Sequence, residues 1–99
     1  MNAQVIRHVV IRGQVQGVGY RTFTEYTAID HGIAGWVRNR RDGGVEAVFA
    51  GSPDRVAEML EACRRGPPGS RVHSIQEREG TTYELALRGA SHFAVLPTV

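Results

Sequence analysis

Apolar and polar residues recur with two different periods along this chain, and the places where the period changes mark out its elements. Residues 5–12, VIRHVVIR, are rich in β-branched types and read as a strand. Alternation puts Val9 and Ile11 on one face of it and His8, Val10 and Arg12 on the other. A glycine-rich loop over 13–19 follows. Residues 20–31, YRTFTEYTAIDH, hold neither Gly nor Pro, and the period lengthens to that of a helix. Tyr20, Phe23, Thr24, Ala28 and His31 share one face of it, a stripe only partly apolar, and Gly32 is its stop signal.

Strand character returns from Ile33 to Arg40 and from Val45 to Ala50, with Asp42-Gly43 as the turn signal between them. In the later run Val45, Ala47 and Phe49 should face the core, and Glu46, Val48 and Ala50 the opposite side. Ser52 is a good N-cap for a second helix, and Pro53 sits at the first helical position, where its missing N–H costs nothing. Val56, Met59, Leu60 and Cys63 make its apolar stripe, and Gly66-Pro67-Pro68 ends it. A fourth strand is expected over 71–77. Within the poorly patterned segment 80–91, Tyr83 to Leu87 is strand-like, and Phe93 to Leu96 reads as a short last strand. The order strand, helix, strand, strand, helix, strand predicts an α+β ferredoxin-like (split βαβ) sandwich. Its antiparallel sheet should carry both helices on one face, because each helix has a single apolar stripe.

Composition narrows this picture only a little. A length of 99 residues favours a single domain over 1–99. Hydrophobic residues at 41% and charged residues at 22% suit a folded chain. A formal charge of +2 fits a small anionic ligand and does not demand nucleic acid. Cys63 stands alone, so neither an internal disulfide nor a zinc site can start from it. His8, His31, His73 and His92 show no metal-ligand spacing among themselves or with Cys63, and neither a metal nor another cofactor is expected. Without a signal-peptide pattern or an apolar run of membrane-spanning length, a cytoplasmic location with no membrane contact is expected.

Candidate chemistry concentrates in GQVQGVGYR, Gly13 to Arg21. It is not a Walker loop, since no Gly-Lys-Ser/Thr closes it, and a dinucleotide fingerprint would need glycine at Thr22. What remains is a glycine-rich loop entering a helix. Its N–H groups and the positive helix end can form an anion nest, or the stretch is simply a tight turn. Arg21 bears on that choice. The helix dipole disfavours a cation in the first turn unless an anion offsets it. A guanidinium fork also suits a phosphate or carboxylate, although a solvated arginine is the plain alternative. Arg38, Arg40 and Arg41 would add positive potential near Asn39, or form an ordinary exposed hairpin end. Trp36 and Cys63 read as packing residues, and Glu58, Glu61, Glu77 and Glu79 as solvated faces.

The residues Gly13, Val15, Gln16, Gly17, Val18, Gly19, Tyr20 and Arg21, followed by GWVRN (Gly35 to Asn39) and DGGVE (Asp42 to Glu46), resemble the acylphosphatase family in order and spacing. The resemblance covers about residues 9–70, and the tail 71–99 matches loosely, mainly through Val72 and Phe93. It implies a ferredoxin-like fold and metal-free hydrolysis of acyl phosphates to a carboxylate and inorganic phosphate. It further implies that the amides of Val15, Gln16, Gly17, Val18, Gly19 and Tyr20, with Arg21, hold the phosphoryl group. Asn39 would then hold the attacking water. Two positions depart from the family pattern: Tyr20 stands where Phe is common, and His31 at a leucine-like position. An acyl phosphate has a good carboxylate leaving group, so its transfer asks mainly for positioning and charge stabilisation. The small-molecule acyl phosphate is the expected partner, and a monomer is the expected form. Two other readings stay open here. Ferredoxin-like sheets also bind RNA through aromatic residues on their open face. The expected open-face positions His8, Val10, Arg12, Glu46 and Val48 hold no aromatic residue, so no nucleic acid is expected. The other is an anion-binding domain without turnover.

Overall fold

The computed structural model describes residues 3–99. Its strands are β1 (Val5–Gln14), β2 (Ala34–Asn39), β3 (Val45–Gly51), β4 (Arg71–Glu79) and β5 (Phe93–Val95). Its helices are α1 (Tyr20–Asp30), α2 (Pro53–Arg65) and the single turn α3 (Thr82–Leu85), which runs on into a 3-10 turn over Ala86–Arg88. The strands form one sheet in the order β4-β1-β3-β2-β5. β1 lies antiparallel between β3 and β4, and β3 lies antiparallel between β1 and β2. Parallel strands β1 and β2 are thus separated by β3, the split βαβ arrangement that the element order predicts.

Apolar alternation decides which face of the sheet receives α1 and α2. Val9, Ile11, Val45, Ala47 and Phe49 are buried there, against Val56, Met59, Leu60 and Cys63 of α2. From α1, Tyr20, Thr24 and Ala28 reach the core, while Phe23 is half-buried. His31 does not extend the stripe. It caps the helix, and its Nδ1–H donates to the Thr27 carbonyl at 2.8 Å.

The sheet is mixed rather than wholly antiparallel, because β5 pairs with β2 in parallel. β4 and β5 occupy opposite edges, so the chain must cross a face of the sheet between them. Residues 80–92 make that crossing on the face away from α1 and α2. The strand-like stretch Tyr83–Leu87 is therefore not a strand but a helical turn. A capping box overrides its β propensity: the Thr81 hydroxyl accepts from the Glu84 N–H at 3.0 Å, and the Glu84 carboxylate from the Thr81 N–H at 3.0 Å. The face expected to be open is consequently covered in part. His8, Glu46 and Val48 are buried, and Trp36 packs among them with its indole N–H donating to the Glu84 carbonyl at 2.8 Å. At the far edge, Phe93 stacks on Phe49 with ring centroids 6.3 Å apart. No helix among the described residues is long and apolar enough to cross a membrane.

Candidate active site

The three α-helices begin differently. Ser52 caps α2 by accepting from the Arg55 N–H, and Thr81 caps α3. α1 begins at Gly19, with φ of 79°, no side-chain cap and no acid in its first turn. Gly17 also lies in the left-handed region, at φ of 73°, which glycine adopts without strain. Among the described residues, the N–H groups of residues 16–22 donate no hydrogen bond within the protein. A helix start left this way carries orphan donors and a partial positive charge.

Those donors border a cavity of about 100 Å³, lined by Val15, Gln16, Gly17, Gly19, Tyr20, Arg21, Thr22 and Asn39. β1 delivers the loop and α1 delivers Arg21. Asn39 comes from the last position of β2, opposite Val45 of β3. Arg21 is exposed and, among the described residues, forms no ion pair. The lining offers amides, a guanidinium and a carboxamide, a set suited to an anion. It holds no carboxylate, imidazole or thiol of the kind that binds divalent cations.

Several sequence-predicted site residues meet at this cavity in different ways. Val15 is buried in the core, so what it can offer a ligand is its backbone. Val18 is not among the lining residues and packs half-buried against the core. The Gln16 side chain turns toward the β2–β3 hairpin, donating to the carbonyls of Arg40 at 2.7 Å and Gly44 at 2.9 Å. Tyr20 lines the cavity but buries its ring. Its hydroxyl donates to the Cys63 carbonyl at 2.7 Å. Burial pushes the Cys63 thiol up to about 12, and the residue is inert packing, as its place on the α2 stripe predicts.

The hairpin behind Asn39 is tied by charge. Arg38 donates to the Glu46 carboxylate at 2.8 Å and lies 4.6 Å over the Trp36 ring. His8 contacts the other Glu46 oxygen at 2.7 Å. Burial raises the Glu46 pKa, but the bonds from Arg38 and His8 outweigh it and the net shift is downward. Arg40 reaches Asp42 at 3.0 Å, and Asp42 also accepts from the Gly44 N–H at 3.0 Å. Two of the three arginines beside Asn39 are therefore engaged in ion pairs, and Arg41 is exposed.

Sequence reasoning missed two features. Thr22 lines the cavity, and its place in the uncapped first turn was the available signal. The other is the segment after β5. Leu96 donates to the Val37 carbonyl at 2.9 Å, Val99 donates to the Asn39 carbonyl at 3.2 Å, and the Arg41 N–H donates to the Val99 carbonyl at 2.7 Å. Residues 96–99 thus hold the backbone on either side of Asn39, a parallel pairing with no local sequence signature.

Comparison with known proteins gives a consistent result. The family profile described as Acylphosphatase matches residues 7–91. The chain is 56% identical over 98 residues to an acylphosphatase from Bradyrhizobium diazoefficiens, covering 98% of this chain and 99% of that protein. The crystal structure of acylphosphatase from Bacillus subtilis superposes with a TM-score of 0.82 at 34% identity, covering 93% of this chain and 98% of that one. An acylphosphatase structure from Coxiella burnetii gives 0.83 at 30% identity, with coverage of 96% and 94%.

Proposed function

This chain belongs to the acylphosphatase family, enzymes that hydrolyse acyl phosphates, and from that premise we propose a metal-free mechanism run by the loop, Arg21 and Asn39. The phosphoryl group of the substrate sits in the cavity at the start of α1. The free N–H groups of the loop and the guanidinium of Arg21 take its oxygens, with two parallel hydrogen bonds available from the arginine fork. Positive charge fixed before substrate arrives stabilises the negative charge spread over those oxygens in the transition state.

Asn39 faces the same cavity and orients one water for in-line attack on phosphorus. Its carboxamide accepts a hydrogen bond from that water but removes no proton, so its contribution is proximity and orientation. The new P–O bond forms as the bond from phosphorus to the acyl oxygen breaks. The carboxylate leaves with the bonding pair, and the water's protons pass to phosphate oxygens and solvent. A carboxylate is a good enough leaving group to depart without a general acid. The products are the carboxylate and inorganic phosphate.

The observation that most supports this reading is the convergence on one small cavity of an uncapped helix start, an asparagine and an arginine with no ion pair among the described residues. Hydrolysis of benzoyl phosphate in the presence of a chelator tests it. Turnover is expected without metal, and turnover only after metal is added would sink the mechanism. Arg21→Ala should lower kcat/KM by at least about 100- to 1000-fold, the usual loss for one such donor. Asn39→Ala should lower kcat strongly while inorganic phosphate inhibits as before. Near-normal rates in both variants would remove these residues from the mechanism.

A further inference from the structure

We infer that Gln16 is a positioning residue, whose side-chain amide sets the separation between the anion-holding loop and Asn39. The inference rests on the hydrolytic roles proposed above. The loop's N–H groups have no partner among the described residues, which leaves the loop with few restraints of its own. Among the described residues, the bonds from Gln16 Nε2 to the carbonyls of Arg40 and Gly44 are the only hydrogen bonds made by residues 15–18. They cross 24 and 28 positions of sequence to the closed end of the β2–β3 hairpin.

Their targets are specific. Arg40 directly follows Asn39, and the Gly44 carbonyl already accepts from the Arg40 N–H at 2.8 Å. One primary amide therefore uses both of its hydrogens to fasten the loop onto the pair of residues that closes the hairpin. A shift of this latch moves the phosphoryl group relative to the water held by Asn39, with no loss of any group that touches either. The side chain that the sequence groups with phosphate ligands is in this account spent on alignment, and only its backbone N–H remains for the anion.

Two variants test the latch. Gln16→Met keeps the length without the donors, and Gln16→Glu sets carboxylate oxygens against two carbonyls. With benzoyl phosphate, kcat should fall about 10- to 100-fold for Gln16→Met, the scale of a misplacement near 1 Å, and further for Gln16→Glu. For the neutral Gln16→Met, inhibition by inorganic phosphate should stay within about twofold of wild type, because the nest and Arg21 are intact. In an Asn39→Ala background, Gln16→Met should cost little more, since both changes remove the same alignment. Phosphate inhibition weakened in step with kcat would make Gln16 a direct ligand and overturn the inference. So would a kcat close to wild type, or losses that simply multiply in the double variant. Wild-type turnover decides the hydrolytic reading by itself, and the variant-to-wild-type ratios decide this one. Slow exchange of the Gln16 side-chain amide protons by NMR supports the latch without any turnover, and exchange at the rate of a free amide overturns it.

Discussion

Tyr20→Phe removes one oxygen atom from the interior and leaves every carbon in place. The tyrosine is 2% exposed, and its ring meets Phe23 with centroids 5.8 Å apart, a contact the variant keeps. The lost group is the hydroxyl that donates to the Cys63 carbonyl at 2.7 Å. That carbonyl lies in the last turn of α2, where its helical donor would be residue 67. Residue 67 is a proline and has no N–H. The tyrosine hydroxyl thus replaces a helical hydrogen bond that the sequence forbids. Burial, and then the contact with Cys63, push the phenol pKa upward, so the donor keeps its proton throughout any assay range. Leaving the carbonyl unpaired should cost about 1–3 kcal/mol. At about 4–8 °C per kcal/mol for a chain of this size, the melting temperature should fall by roughly 4–24 °C. Calorimetry or thermal circular dichroism reads this directly, and benzoyl phosphate turnover well below the transition should survive. A melting temperature within about 2 °C of wild type would refute the reasoning, because the carbonyl would then have another donor.

Gly35 has φ of 144°, and a Cβ there would stand 1.8 Å from the Val48 carbonyl oxygen, so Gly35→Ala must push β2 off β3. It should lose on the order of 4 kcal/mol or more, read as poor recovery of folded protein or a collapse in urea midpoint. Asp42 is held down to about 2 by the Gly44 N–H first, then by Arg40 and Arg12. A folded pKa below the unfolded value, near about 3.9, gives stability that is complete above about pH 4 and is lost as pH falls toward 2. Asp42→Asn should therefore flatten the acid limb of a urea-midpoint series between those values, and an unchanged limb would remove Asp42 from acid unfolding. Glu46→Gln should destabilise by about 1–3 kcal/mol at pH 7 by weakening the bonds to Arg38 and His8. Because the Glu46 pKa is also lowered, the gap from wild type should narrow below about pH 4, and a constant gap would contradict the assignment. Deleting residues 96–99 removes the Val99 N–H from the Asn39 carbonyl, so kcat should drop with phosphate inhibition retained. Loss of both together would show that the segment supports the whole cavity.

Features set by near neighbours in the chain were legible from sequence. The β-branched run of β1, the alternation of β3, the Ser52-Pro53 start of α2 and its four-residue apolar stripe each depend on local periodicity or capping. The glycine loop running into an uncapped α1 was legible for the same reason, since it is made of consecutive residues. The stretch Tyr83–Leu87 misread as a strand because β propensity is weak beside a capping box that satisfies two orphan N–H groups at once. Its helical turn, and the crossing of 80–92 over a face expected to be open, were settled by the need to carry the chain from one sheet edge to the other. Long-range partners decided the remainder. The Gln16 amide found its carbonyls on a hairpin, the Tyr20 hydroxyl found a carbonyl that Pro67 cannot serve, and residues 96–99 found the backbone around Asn39. None of these leaves a periodic trace, because a hydrogen bond across dozens of residues depends on where separate elements come to rest. The sequence by itself determined which groups could hold an anion; only the packed sheet decided how they are held relative to one another.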